Sequence, residues 1–328
     1  MNETMRAVVL TEPGTPEALT IRDVPIPAVQ PGWIRIRIEA FGLNRSEVHT
    51  RLGLAEGVTL PRVLGIECAG TVDVAGTTDF TPGQKVVAML GGMGRTFDGG
   101  YAQYTVVPAT QAIPIETDLD WNIVGAVPEM LQTSYGSLTK GLDARRGQTL
   151  LIRGGTSSIG MATAGLAKDM GLTVISTTRR PERTQALAEA GVDHAVVDTG
   201  DIADDVRRIV PGGVDIALEL VGTPTLPDTL RATRVQGVVC FTGMLSNQWT
   251  VENFYPIAYI PSGVRLTAYA GDVGDLPPSV LQAYLEGIAD RRIKVPIDHT
   301  YSLDEIQQAH ADMESNSATG KLVVRVEH

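Results

Sequence analysis

The first pattern in the chain able to do chemistry is Gly155-Thr156-Ser157-Ser158-Ile159-Gly160, a G-x-S-x-x-G loop. It sits between the apolar run TLLIRG and the helix-like run MATAGLAKDM. A glycine loop between a strand and a helix suits the diphosphate of a dinucleotide. Gly155 permits the tight turn, and Gly160 lets the helix pack closely on the strand. Ser157 replaces the middle glycine of the usual fingerprint, but it is small and brings a hydroxyl donor. The helix start offers free N–H groups and a positive dipole end to that diphosphate, so Thr156, Ser157, Ser158 and Ile159 join Gly155 and Gly160 as expected cofactor contacts. About twenty residues further on, a carboxylate that holds the ribose 2′-hydroxyl is expected. The chain instead reads Thr177-Thr178-Arg179-Arg180-Pro181-Glu182-Arg183. Guanidinium groups pair with phosphate oxygens, so Thr178, Arg179 and Arg180 point to NADP(H) over NAD(H). The competing reading is a solvated charge run, although a cationic first turn opposes the dipole of the next helix.

Other chemistries are absent from the sequence. There is no Walker loop, no H-E-x-x-H, no G-x-S-x-G elbow and no Tyr-x-x-x-Lys. The 5 histidines, at 49, 194, 299, 310 and 328, are scattered. The 2 cysteines, Cys68 and Cys240, make neither a disulfide framework nor a four-thiolate zinc site. With 27 basic and 38 acidic residues the net charge is −11, which disfavours nucleic acid and anionic membrane surfaces. No leader-like segment and no long apolar run is visible, so a cytoplasmic protein is expected.

The elements that must hold the loop follow from pattern. A chain of 328 residues suggests about two domains. Residues 1–118 read as strands broken by Pro13-Gly14, Pro31-Gly32 and Pro82-Gly83. In GWIRIRIEA, Ile34, Ile36 and Ile38 alternate with Arg35, Arg37 and Glu39, a half-buried antiparallel strand of a partly closed barrel. From about Thr149, strands alternate with helices that stop at glycine. That grammar is a doubly wound parallel sheet, an α/β fold. Two further helices and a last strand, KLVVRV, close the chain; the strand needs a sheet, and the N-terminal β region can supply it.

These features together resemble the medium-chain dehydrogenase/reductase superfamily, and within it the zinc-free, quinone oxidoreductase-like (zeta-crystallin-like) branch. The resemblance spans essentially the whole chain. It is carried by Ala40-Phe41-Gly42-Leu43-Asn44, Leu64-Gly65-Ile66-Glu67-Cys68-Ala69-Gly70, Thr81-Pro82-Gly83-Gln84-Lys85-Val86, Gly99-Gly100-Tyr101-Ala102 and Ala318-Thr319-Gly320-Lys321. It implies a discontinuous GroES-like β-barrel catalytic domain, 1–122 with 273–328, and a Rossmann domain, 123–272. Zinc-dependent members have a cysteine where Asn44 stands and a histidine where Ile66 stands. The four-cysteine structural lobe is missing too, so no metal is expected.

The resemblance also implies the remaining site residues. Asn44 and Thr133 would meet the nicotinamide end of NADPH. Leu220, Val221 and Gly243 would line the cofactor cleft at the sheet's carboxyl edge, and Lys321 is carried over as a cofactor contact. Many relatives have a tyrosine at the place of His49. His49 is therefore either a proton donor or an exposed loop histidine, and Tyr135 is the weaker donor candidate. Without a Lewis acid, the fitting acceptors are quinones and α,β-unsaturated carbonyls. The alternatives are reduction of an enoyl thioester and NADPH binding without catalysis. A homodimer through the strand near Leu266–Tyr269 is implied as well.

Overall fold

The structure is a computed structural model and describes residues 3–328. The chain forms two compact units, Met1–Glu129 with Asp272–His328, and Met130–Gly271.

The first unit is β-rich. A three-stranded antiparallel sheet pairs Thr4–Leu10 with Leu19–Pro25 and with Arg62–Val63. A seven-stranded sheet is centred on Trp33–Gly42. Ile34, Ile36 and Ile38 are wholly buried, as their alternation requires. They join one core with Leu10, Phe41, Tyr101 and Val324. The last strand, Lys321–Arg325, pairs antiparallel with Trp33–Gly42. Its other neighbour, Ile297–Ser302, is parallel to it and has no alternating apolar pattern. Helix Trp121–Ala126 also belongs here, since Ala126 packs on Ala40 and Val323. The boundary therefore falls a few residues later than the sequence places it.

The second unit holds a six-stranded parallel sheet. Its strands are β1 (Thr149–Arg153), β2 (Thr173–Thr178), β3 (His194–Val197), β4 (Val214–Glu219), β5 (Thr233–Phe241) and β6 (Arg265–Ala268). The order is β3-β2-β1-β4-β5-β6. Both faces are covered, so β1 carries the continuous apolar run Leu150, Leu151, Ile152. Leu150 and Ile152 pack into one cluster and Leu151 into the other. The helix Leu226–Ala232 stops at Ala232 because β-branched Thr233 and Val235 are drawn into β5. Among the described residues no helix is long and apolar enough to cross a membrane.

Candidate functional site

The glycine loop opens at the carboxyl end of β1. Gly154 has φ +89°, which glycine adopts freely. A Cβ on Gly155 would overlap Ser176 Oγ, and one on Gly160 would lie 2.7 Å from both Gly154 O and Gly155 O. Ser157 caps the helix Ser158–Asp169: its Oγ accepts from Gly160 N at 3.1 Å and donates to Gly154 O at 2.8 Å. The hydroxyl expected to serve a ligand is thus committed to the loop itself. Among the described residues the N–H groups of Thr156, Ser158 and Ile159 find no protein acceptor. Those donors at a helix start are what a diphosphate requires.

Around the loop, the sheet's carboxyl edge is stiffened by buried charge. Arg153, the last residue of β1, is wholly buried. Its guanidinium takes Asp198 in a two-pronged pair at 2.8 and 2.9 Å and Asp228 at 2.5 Å, and donates to Gly200 O at 2.6 Å. Glu219, the last residue of β4, accepts from Val221 N, Gly222 N, Thr225 Oγ1 and Thr229 Oγ1. Burial pushes its carboxyl up against those bonds. Leu220 is buried and Val221 half-buried in the turn so held. Gly243 lies beside it, where a Cβ would come within 2.6 Å of Leu220 O. At the end of β2, Thr178 is buried and accepts from Arg180 N at 3.2 Å, while the Arg179 and Arg180 side chains are exposed. The nearby carboxylate, Asp198, is occupied by Arg153.

Thr133 and Tyr135 lie on the helix Pro128–Gly136. Thr133 is buried, with Oγ1 3.3 Å from Gln132 Oε1, and Gln132 donates to Tyr269 Oη at 2.9 Å. Tyr135 is half-buried.

In the first unit the structure brings Asn44 and Lys321 together. Lys321 is 1% exposed, with Nζ 2.5 Å from Asn44 Oδ1, 2.7 Å from Glu67 Oε1 and 3.8 Å from Glu129 Oε2. Asn44 Nδ2 donates to Glu67 Oε1 at 2.8 Å, and Glu129 N donates to Glu67 Oε2 at 2.8 Å. Asn44 is also the N-cap of helix Arg45–Arg51, where Glu47 accepts from Asn44 N and Ile66 N, both at 3.0 Å. Burial would lower the Lys321 ammonium, but Glu67, Glu129 and Glu47 outweigh it and hold it above the ordinary range. Burial carries the Glu47 carboxyl up to about 7 against the Ile66 N–H, with the Glu67 charge pushing the same way. His49 lies on this helix and is buried, not exposed on a loop.

These residues do not suit a zinc ion. Glu67 already neutralises an ammonium, and Asn44 and Ile66 offer neither thiolate nor imidazole. The neighbouring Cys68 is wholly buried, its thiol pushed up by burial and by Glu67.

Sequence reasoning did not single out Glu47, Glu129, Arg153, Asp198, Glu219 or Asp228. The signal open to it was a charge at the end of an otherwise apolar strand, as in TLLIR and IALE.

The chain matches the family described as alcohol dehydrogenase GroES-like domain over residues 30–117, and the one described as zinc-binding dehydrogenase over residues 190–324. It is similar to a 2-haloacrylate reductase of Burkholderia sp, 29% identical over 249 residues, 73% of this chain and 73% of that protein. It is similar to the quinone oxidoreductase of Rattus norvegicus, 26% identical over 333 residues, 98% of this chain and 97% of that protein. Among solved structures, a mycobacterial protein complexed with NADPH matches with TM-score 0.86 at 26% identity, over 98% of this chain and 99% of that one.

Proposed function

Since this chain belongs to the medium-chain dehydrogenase/reductase superfamily, in its quinone oxidoreductase-like branch, we propose that it is an NADPH-dependent, metal-independent reductase of a quinone or an α,β-unsaturated carbonyl. Membership of the superfamily makes the chain an oxidoreductase of a small molecule that uses a nicotinamide cofactor. The observation that carries the finer reading is the edge of the parallel sheet. Three free N–H groups stand at the start of helix Ser158–Asp169, and two exposed arginines follow β2 where a ribose-binding acid would stand.

When bound, the cofactor supplies a hydride. The chain's part is binding and orientation. Thr156, Ser158 and Ile159 would hold the diphosphate through their N–H groups, and Gly155 and Gly160 let the loop pack tightly against β2 and against itself. Arg179 and Arg180 would hold the 2′-phosphate, with Asp198 withdrawn from competition by Arg153. Leu220 and Val221 lie in the turn beside the loop, and Gly243 packs against that turn. Asn44 and Thr133 are assigned to the nicotinamide end, and His49 or Tyr135 to the proton. Edge strand β6, unpaired on its outer side among the described residues, is assigned to a homodimer.

The test is NADPH oxidation against an ortho-quinone, a para-quinone and a 2-alkenal, with NADH in parallel. The expected result is turnover with kcat/KM for NADPH at least about tenfold above NADH, roughly 1.4 kcal/mol of discrimination. A preference for NADH refutes the arginine assignment, and nucleotide binding without turnover on any acceptor refutes the reductase reading.

A further inference from the structure

The Lys321 ammonium is sealed into unit one in a way that barrel packing alone does not require. A primary ammonium has three donors. Oxygens of Glu67, Asn44 and Glu129 face it, and no part of its side chain reaches solvent.

An independent feature is Gly42, the last residue of Trp33–Gly42, directly opposite Val323. Its φ is not positive, so backbone freedom does not explain the glycine. In a strand, glycine is the costly choice relative to alanine. A Cβ there would overlap Lys321 Cε and stand 2.5 Å from Glu67 Oε1 and 3.0 Å from Lys321 Nζ. The missing side chain is therefore the space that the ammonium and its carboxylate fill.

Asn44 closes the cage. Its Oδ1 accepts from the ammonium, and its Nδ2 donates to Glu67 Oε1. Flipping the amide would set NH2 against NH3+ and an oxygen against a carboxylate. The ammonium thus dictates the amide's orientation.

We propose that Lys321 is a positioning residue: its ammonium, seated over Gly42, is a resident cation that locks the Asn44 amide, and it acts on the reaction through Asn44 without touching the cofactor. This rests on the assignment of Asn44 to the nicotinamide end made above.

The test compares wild type, Lys321→Ala, Gly42→Ala, Asn44→Ala and the Lys321→Ala/Asn44→Ala double variant. Each is measured without cofactor by thermal midpoint, and with NADPH by fluorescence titration and steady-state turnover. Lys321→Ala should lower the midpoint and cut kcat by roughly tenfold or more, while the NADPH Kd stays within about twofold. Ethylammonium chloride should restore both midpoint and kcat; tetramethylammonium chloride at equal ionic strength, which has no N–H, should restore neither. Gly42→Ala keeps every charge and should show the same loss of kcat. Adding Lys321→Ala to Asn44→Ala should cost nothing further.

The proposal is overturned if the NADPH Kd rises more than kcat falls, which would make Lys321 a cofactor contact. Additive losses in the double variant overturn it, as does an ethylammonium effect no larger than that of tetramethylammonium. If Lys321→Ala does not fold, Gly42→Ala decides: wild-type kcat there overturns the proposal. A wild type that binds no nicotinamide nucleotide refutes the functional reading instead, and the amine effect on the cofactor-free midpoint still tests the cage.

Discussion

Glu47 and His310 should cancel each other's pH dependence, and removing either should expose the other. His310 is wholly buried between Arg51, whose Nε lies 3.3 Å from Nδ1, and Tyr101, whose Oη lies 3.1 Å from Nε2. Burial, then the Arg51 charge, drives its imidazole down from 6.5 to about 3. Between about pH 4.5 and 6.5 the unfolded chain carries a proton on this histidine and the folded chain does not. Its contribution to stability is complete above 6.5 and is lost as pH falls toward 3, at about 1.4 kcal/mol per pH unit. Glu47 has the opposite sign. Its folded carboxyl sits at about 7 against an ordinary 4.5, so over the same window the folded chain holds the proton and the unfolded chain does not. Its contribution is complete below 4.5 and is lost as pH rises through 7. The two slopes sum to about zero. Glu47→Gln should therefore make stability rise by about 2.7 kcal/mol relative to wild type between pH 4.5 and 6.5, and His310→Gln should make it fall by about as much. The assay is urea unfolding of each protein at half-unit pH steps, followed by far-ultraviolet circular dichroism. Glu47→Gln and wild type with parallel pH dependence would refute the reasoning. It would mean that the N–H groups of Asn44 and Ile66 hold Glu47 ionised against burial.

Two further outcomes follow from the second unit. Arg153→Met strands Asp198 and Asp228 in the interior and should cost about 3–5 kcal/mol in urea unfolding. Burial pushes Asp198 up, but Arg153 more than reverses that, so in the variant the deficit should shrink as pH falls through the carboxylate range; a loss under about 1 kcal/mol would refute the network's role. Gly160→Ala gains about 0.5–1 kcal/mol of backbone preference in a helix. It loses about 1–3 kcal/mol by forcing a Cβ against the Gly154 and Gly155 backbone, so NADPH affinity should fall in a fluorescence titration, and unchanged affinity would refute the loop assignment.

The parts of the fold that were legible in sequence are those in which side chains follow the backbone's period. The alternation of Ile34, Ile36 and Ile38 and the apolar run of β1 reflect burial on one face and on two. Strand Ile297–Ser302 was not legible because its side chains carry no such pattern: Asp298 and His299 are exposed. Its partner Lys321–Arg325 supplies the pairing through the backbone. The end of the helix before β5 was not legible for a related reason, since Thr233 joins a strand whose partner, Val214, lies elsewhere in the chain.

The same distinction separates the glycine loop of the second unit from the Lys321 cage of the first. The loop Gly155–Gly160 is read easily because one turn brings all its working groups together, the free N–H donors and the glycines that let the loop pack closely. The Lys321 cage cannot be read that way. Glu67 is 254 residues from Lys321, and Asn44 is 277 residues from it. Seen alone, Glu67 is a single carboxylate with nothing to bind, and Lys321 is a surface-type residue at the chain's end. Each nevertheless stands at the first position of a strand, and Asn44 stands at a helix cap. Such positions are where charge can enter a barrel without breaking its apolar rows. Arg153 and Glu219 obey the same rule at the far ends of their strands. A polar residue that ends an apolar run is thus a statement about tertiary structure: it must meet a partner at another element's end, because burying it unpaired would cost several kcal/mol. Gly42 completes the argument from the opposite direction, as an absence of side chain that only a partner arriving from the far end of the sequence explains.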